Sequence, residues 1–193
     1  MNICVYAASS TTLASAYYAE AEQLGHLMAE SGHTLVFGGG AEGLMGACAR
    51  GVLSGGGRLI GVAPRFFDEP GVLLKEGCAL VFTETMSERK MEMARLADAF
   101  IALPGGIGTY EEFFETLTLK QLGRHRKPMA LLSTLDYYES LLALLRRTAD
   151  AGFMSREVLS LFALCKSPAE ALAHVTEPVS PVSAAPSLAD YKR

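Results

Sequence analysis

Nothing in this sequence approaches the ~18 consecutive apolar residues that a membrane-spanning helix needs, so a membrane is not an expected partner. The opening stretch 1–8 is apolar, but it is too short for a secretory leader and has no basic segment ahead of it. Cysteine is sparse. Cys4, Cys48, Cys78 and Cys165 are scattered with no close pair, a pattern of buried thiols rather than of a disulfide framework or a zinc site. The expected compartment is the cytoplasm. Charge is scarce too, at 20% of residues with a net charge of −4. The basic residues form no long run; Arg124, His125, Arg126 and Lys127 cluster in a short connection, where a solvated turn accounts for them better than a phosphate patch. Binding a nucleic-acid polymer draws most of its free energy from clustered cations, so such a partner is not expected either.

What the chain does have is apolar material: 50% of its 193 residues are hydrophobic and its mean hydropathy is +0.23. That supports a large core, or a core plus an apolar surface covered by a second subunit. Short apolar runs alternate with longer amphipathic stretches. Strands are expected at 2–7, 34–37, 59–63, 80–83, 100–103, 128–133 and 161–165. Helices are expected at 15–31, 44–53, 87–97, 109–121, 137–151 and 168–174. Strands alternating with helices of this length make βαβ units, and right-handed crossovers turn these into an α/β fold: a single Rossmann-like, doubly wound parallel sheet with helices on both faces. One nucleotide-binding catalytic domain is expected over 1–177. The tail 178–193, rich in proline, serine and alanine, is expected to be disordered.

In such a sheet every strand ends at one edge, and ligands bind in crevices along it. Three unusual segments fall there: Ala7-Ala8-Ser9-Ser10 after the first strand, Gly38-Gly39-Gly40-Ala41-Glu42-Gly43-Leu44-Met45-Gly46 after the second, and Pro104-Gly105-Gly106-Ile107-Gly108-Thr109 after the fifth. The helix from 87 leaves the same edge with Arg89 and Lys90 in its first turn. Topology thus gathers a guanidinium, an ammonium and a glycine-rich helix start, whose free N–H groups and positive dipole end suit an anion. Turn geometry and tight packing are the structural alternative for glycine. Two glycine clusters at the ligand edge, the second followed by the Thr109 hydroxyl, favour phosphate. Neither has P-loop spacing, and no glycine follows the first strand as a dinucleotide fingerprint requires. Glu111, Glu112 and Glu115 crowd the start of the next helix. The dipole alone favours acids there by ~0.3–1 kcal/mol; a carboxylate one turn from an anion nest could also act at the sugar of a bound nucleotide.

Met86-Ser87-Glu88-Arg89-Lys90 resembles the M-x-x-R-K signature of the Lonely Guy (LOG) family of nucleoside-5′-monophosphate phosphoribohydrolases. The stretch Pro104-Gly105-Gly106-Ile107-Gly108-Thr109-Tyr110-Glu111-Glu112 resembles its P-G-G-x-G-T-x-x-E motif. Residues 97–103, Gln121-Leu122-Gly123, Lys127-Pro128, Tyr137-Tyr138 and the first glycine cluster are similar to the same family, so the likeness covers 2–153. Ala8 stands where members usually have glycine, and 66–85 matches poorly.

The resemblance implies hydrolysis of the N-glycosidic bond of AMP or cytokinin riboside 5′-monophosphates by a homodimer without metal or cofactor. It makes Arg89 and Glu112 the catalytic pair. It also makes Arg89, Lys90, Gly106, Ile107, Gly108, Thr109, Tyr110, Glu111, Glu112 and Thr118 substrate-binding, and the segments at the ligand edge add Ser9, Gly39, Gly40 and Gly105 to the expected binding positions. Stretches 44–53 and 117–122, apolar around much of their circumference, also point to a dimer, since a helix on one sheet face needs only one apolar stripe. Relatives have carried the label lysine decarboxylase, but no lysine here stands in an evident pyridoxal-phosphate context. The alternative is a nucleotide or molybdenum-cofactor carrier that uses the same loops without chemistry. Such a carrier has no need of a carboxylate beside the sugar.

Overall fold

The computed structural model describes residues 1–177; the tail 178–193, expected to be disordered, lies outside the described residues. Seven strands, β1 (Asn2–Tyr6), β2 (Thr34–Phe37), β3 (Arg58–Pro64), β4 (Cys78–Thr83), β5 (Ala99–Ala102), β6 (Met129–Leu132) and β7 (Ala163–Cys165), form one all-parallel sheet. Their order is β4-β3-β2-β1-β5-β6-β7. The helices are α1 (Ser15–Glu30), α2 (Gly43–Ser54), α3 (Met86–Leu96), α4 (Ile107–Gln121), α5 (Glu139–Asp150) and α6 (Pro168–Thr176). Parallel strands covered on both faces read as unbroken apolar runs. In β1, Ile3 and Val5 join the core under α1, α2 and α6, while Cys4 and Tyr6 join the one under α3, α4 and α5. All four side chains are buried.

The strand order reverses at β1. The chain lays β2, β3 and β4 outward on one side, then crosses back to place β5 against β1's other flank, with Tyr6 level with Ala102. The loops after β1 and β5 therefore rise side by side at the switch point, joined by the Ala8 N–H to Pro104 carbonyl bond at 3.2 Å.

Three details depart from expectation. α4 starts at Ile107 rather than 109, so Gly108 lies inside its first turn and Gly106 is the N-cap. α5 starts at Glu139 rather than 137, because Leu135 and Asp136 take positive φ and Tyr137 and Tyr138 close that turn. The basic cluster is not simply a solvated turn: Arg124 and Arg126 are exposed, but Lys127 Nζ donates to the Ala94 carbonyl in the last turn of α3 at 2.6 Å, and the His125 ring bonds the Thr116 carbonyl at 2.9 Å. Lys127 thereby offsets an end carbonyl of α3 and the negative end of that helix's dipole.

The apolar circumference of α2 also finds its cover within the chain. Leu44, Ala47, Cys48, Ala49 and Val52 are all buried, because Gly25 of α1 and Gly51 of α2 bring the two helices into backbone contact. The four cysteines are free thiols, Cys78 alone of them partly exposed. Among the described residues no helix is long and apolar enough to cross a membrane.

Candidate active site

α3 begins behind Thr85, whose hydroxyl accepts from the Glu88 N–H at 3.1 Å, while the Glu88 carboxylate accepts from the Glu84 N–H at 2.9 Å. Satisfying these end groups fixes the first turn, and with it Arg89. The guanidinium runs inward beneath the ends of β2 and β3. Arg89 Nε donates to the Val62 carbonyl at 3.1 Å and Nη1 to Glu112 Oε1 of α4 at 2.8 Å. A Cβ at residue 38 would fall on this guanidinium, so Gly38 is needed for its size; its φ lies outside the left-handed region. Arg89 is 7% and Glu112 9% exposed. Burial raises the Glu112 carboxyl above its ordinary value of 4.5, and the charge and hydrogen bond of Arg89 pull it part of the way back.

Beside this pair, the first turn of α4 has no side-chain cap, and Gly106, Ile107 and Gly108 are exposed. Helix starts leave N–H groups unsatisfied. A Cβ at Gly106 or Gly108 would touch nothing within 4 Å, and neither glycine has positive φ. Neither packing nor backbone conformation demands glycine at these two positions, and the missing side chains leave the backbone of this helix start open to close approach. Gly105 differs, because the buried Thr109 side chain occupies the place of its missing Cβ. Three tyrosines brace the loop from beneath: Tyr137 donates to the Gly105 carbonyl at 2.7 Å, Tyr138 to the Leu103 carbonyl at 2.6 Å, and Tyr110 to the Tyr137 hydroxyl at 3.2 Å.

The remaining expected residues are placed less uniformly. Lys90 pairs with Glu111 at 2.5 Å and Glu115 at 2.8 Å, and these bonds raise its pKa, Glu111 first. The three crowded acids thus serve two cations, two on Lys90 and one on Arg89. Ser9 is exposed at the rim, while the Ala8 carbonyl accepts from the N–H groups of Leu44 at 2.9 Å and Met45 at 3.4 Å. The loop after β1 therefore occupies the start of α2. Gly39 and Gly40 lie under a strap from the poorly matching span: Gly40 bridges Leu73, the Gly39 carbonyl accepts from the Leu74 N–H at 2.8 Å, and the Ala41 N–H donates to the Val72 carbonyl at 3.0 Å. Thr118 is not brought to the loop. It is exposed, and the helical rise sets it roughly 16 Å along α4 from Ile107. Sequence reasoning missed Gly38 as the seat of Arg89, the Val62 carbonyl and the strap; a backbone atom leaves no side-chain signal. The paired tyrosines were visible, but not their bonds.

A family model described as possible lysine decarboxylase matches residues 45–175. The chain is 44% identical over 154 residues to the cytokinin riboside 5′-monophosphate phosphoribohydrolase LOG2 of Arabidopsis thaliana, spanning 79% of this chain and 72% of the relative. It is 42% identical over 159 residues to the cytokinin riboside 5′-monophosphate phosphoribohydrolase of Rhodococcoides fascians, spanning 82% and 80%. The chain belongs to the LOG family. Solved structures of related shape include the molybdenum cofactor carrier protein of Chlamydomonas reinhardtii, 26% identical with a TM-score of 0.66 over 89% of this chain and 93% of that one. The molybdenum cofactor binding protein of Rippkaea orientalis, at 22% identity and a TM-score of 0.66 over 89% and 92%, shares the fold. In this LOG-family chain the two sequence signatures meet physically, one supplying Arg89 and the other both the open helix start and Glu112.

Proposed function

We propose that this protein hydrolyses the N-glycosidic bond of nucleoside 5′-monophosphates, AMP or cytokinin riboside 5′-monophosphates, giving free base and ribose 5-phosphate. The observation that carries the proposal is the buried Arg89–Glu112 pair set beside an uncapped, glycine-lined helix start. The 5′-phosphate lies at the N-terminus of α4, held by the N–H groups of Gly106 and Gly108 in the favourable end of the helix dipole. Cleavage of the bond from C1′ to the base leaves positive charge on the ribosyl ring, an oxocarbenium-like state. The Glu112 carboxylate stabilises that charge and takes a proton from water, whose oxygen bonds to C1′; the base leaves with the bonding electrons and picks up a proton. Burial makes Glu112 a stronger base than a free carboxylate, which suits this step. Arg89, fixed by the Val62 carbonyl, holds the carboxylate in line.

The protein acts as a cytoplasmic homodimer without metal or cofactor, its catalytic machinery carried by 1–177. With α2 covered internally, the support for a dimer is the large apolar side chains left exposed on α3 and on α4, Met91 and Leu119. Thr118 is exposed on α4 next to Leu119, and it reaches a nucleotide only from a second copy. A carrier of the same fold is the competing function, but a carrier has no use for a buried carboxylate beside the sugar. Incubation with AMP decides between them. Release of adenine and ribose 5-phosphate is expected, with adenosine a far poorer substrate because phosphate binding energy positions the sugar. Tight binding of AMP without release of adenine would establish the carrier instead.

A further inference from the structure

The turn between β6 and α5 is strained, and it packs against the glycine loop. Leu135 and Asp136 both adopt left-handed backbone angles, φ 51° and 61°, which side chains disfavour. Its surroundings over-determine it. The Thr134 hydroxyl donates to Glu20 at 2.5 Å, the Ser133 N–H to the Cys165 carbonyl at 2.8 Å, and Asp136 pairs with Lys166 at 2.7 Å. Strain held in place this firmly marks positions that serve function. The turn brings Tyr137 and Tyr138 back beneath the loop that follows β5. There the Tyr137 hydroxyl donates to the Gly105 carbonyl at 2.7 Å while accepting from Tyr110 at 3.2 Å, and each bond polarises the other.

We propose that Tyr137 is a positioning residue that, through the Gly105 carbonyl, aims the Gly106 N–H at the substrate's 5′-phosphate. In a trans peptide the C=O and the following N–H point in opposite directions, and the described residues contain no cis bond. Fixing the Gly105 carbonyl on Tyr137 therefore turns the Gly106 N–H away from the tyrosines, at an exposed residue whose side-chain position is also open. Two successive glycines would otherwise leave this peptide free to rotate and withdraw its donor. The tyrosine removes that freedom before any ligand arrives, so binding need not bear the cost of ordering the loop. This role rests on the phosphate placement proposed above.

Tyr137→Phe keeps the ring against Tyr17 and Tyr138 and deletes only the hydroxyl. The KM for AMP should rise roughly tenfold, the worth of one hydrogen bond. The inhibition constant of adenosine, which lacks the phosphate, should stay within about twofold. A purely structural role would weaken both ligands alike, so parallel losses, or an unchanged KM for AMP, overturn the assignment. Gly108→Ala, measured in parallel, separates the two levels of the proposal. If it raises KM for AMP while Tyr137→Phe does not, the role of Tyr137 alone is lost. If neither variant affects AMP, the phosphate does not lie at α4, and the site placement falls with it.

Discussion

Replacing Gly38 with alanine tests the catalytic geometry without changing the chemistry of either Arg89 or Glu112. The backbone at residue 38 lies outside the left-handed region, so alanine is tolerated locally. Its methyl group, however, would land on Nη2 of Arg89. Ordinary contact at about 3.5 Å forces the guanidinium to retreat by more than an ångström, away from the Val62 carbonyl at 3.1 Å and from Glu112 at 2.8 Å. A guanidinium ends a flexible side chain, so it moves without rebuilding the sheet, and the fold survives. Glu112 then stays buried without its partner. Leaving a buried charge unpaired costs about 3–5 kcal/mol, but the carboxyl escapes part of this by taking up a proton, so a stability loss of about 1–3 kcal/mol is expected. Activity should suffer more: an ångström-scale misplacement costs about 100-fold. The assay is adenine release from AMP, read as kcat/KM, beside a thermal melt. The acid limb of the rate profile should also move to higher pH, because Arg89 no longer lowers the pKa of Glu112. A folded Gly38→Ala protein with wild-type kcat/KM would refute the claim that the Arg89–Glu112 alignment drives the reaction.

Glu112→Gln keeps the shape of the side chain and removes its charge, so turnover should vanish while AMP binding, measured by calorimetry, stays within about tenfold; residual turnover near wild type would exclude the mechanism. Because burial sets the Glu112 pKa above 4.5, the acid limb of wild-type kcat/KM should fall above that pH, and a limb at or below it would show that another group is titrating. The same shift has a stability sign. The folded state holds this proton more tightly than the unfolded chain, so the contribution of Glu112 to stability is largest in acid and declines as pH rises from 4.5 through the raised value. Melts of wild type and Glu112→Gln across that window should show the decline only where the glutamate is present. Light scattering should give twice the 20.6 kDa chain mass, and Leu119→Lys should shift it toward the monomer with loss of activity; a fully active monomer excludes the dimer.

The sheet was legible because its signals are local. Runs such as 2–7 and 128–133 can bury themselves only between two helical layers, and strand–helix alternation with right-handed crossovers leaves few topologies. The start of α4 falls two residues before the expected one because Gly108, a poor helix former, masks it in the sequence, while the Tyr110 N–H bond to the Gly106 carbonyl at 3.1 Å already closes the first turn. The circumference of α2 was legible as apolar but not as covered by α1, since periodicity cannot tell an internal partner from a second subunit. The sequence by itself determined a parallel α/β sheet and the residue types lined up along its ligand edge: a guanidinium, a carboxylate and a glycine-rich helix start. The pairing of Arg89 with Glu112 came from the family resemblance; only the tertiary structure decided that the two meet directly across 23 residues, that Gly38 makes room for the guanidinium, and that Glu111 and Glu115 are taken up by Lys90. Pairing and burial depend on how the crossover returns α3 beside α4, and no stretch of sequence short enough to read by pattern contains that information.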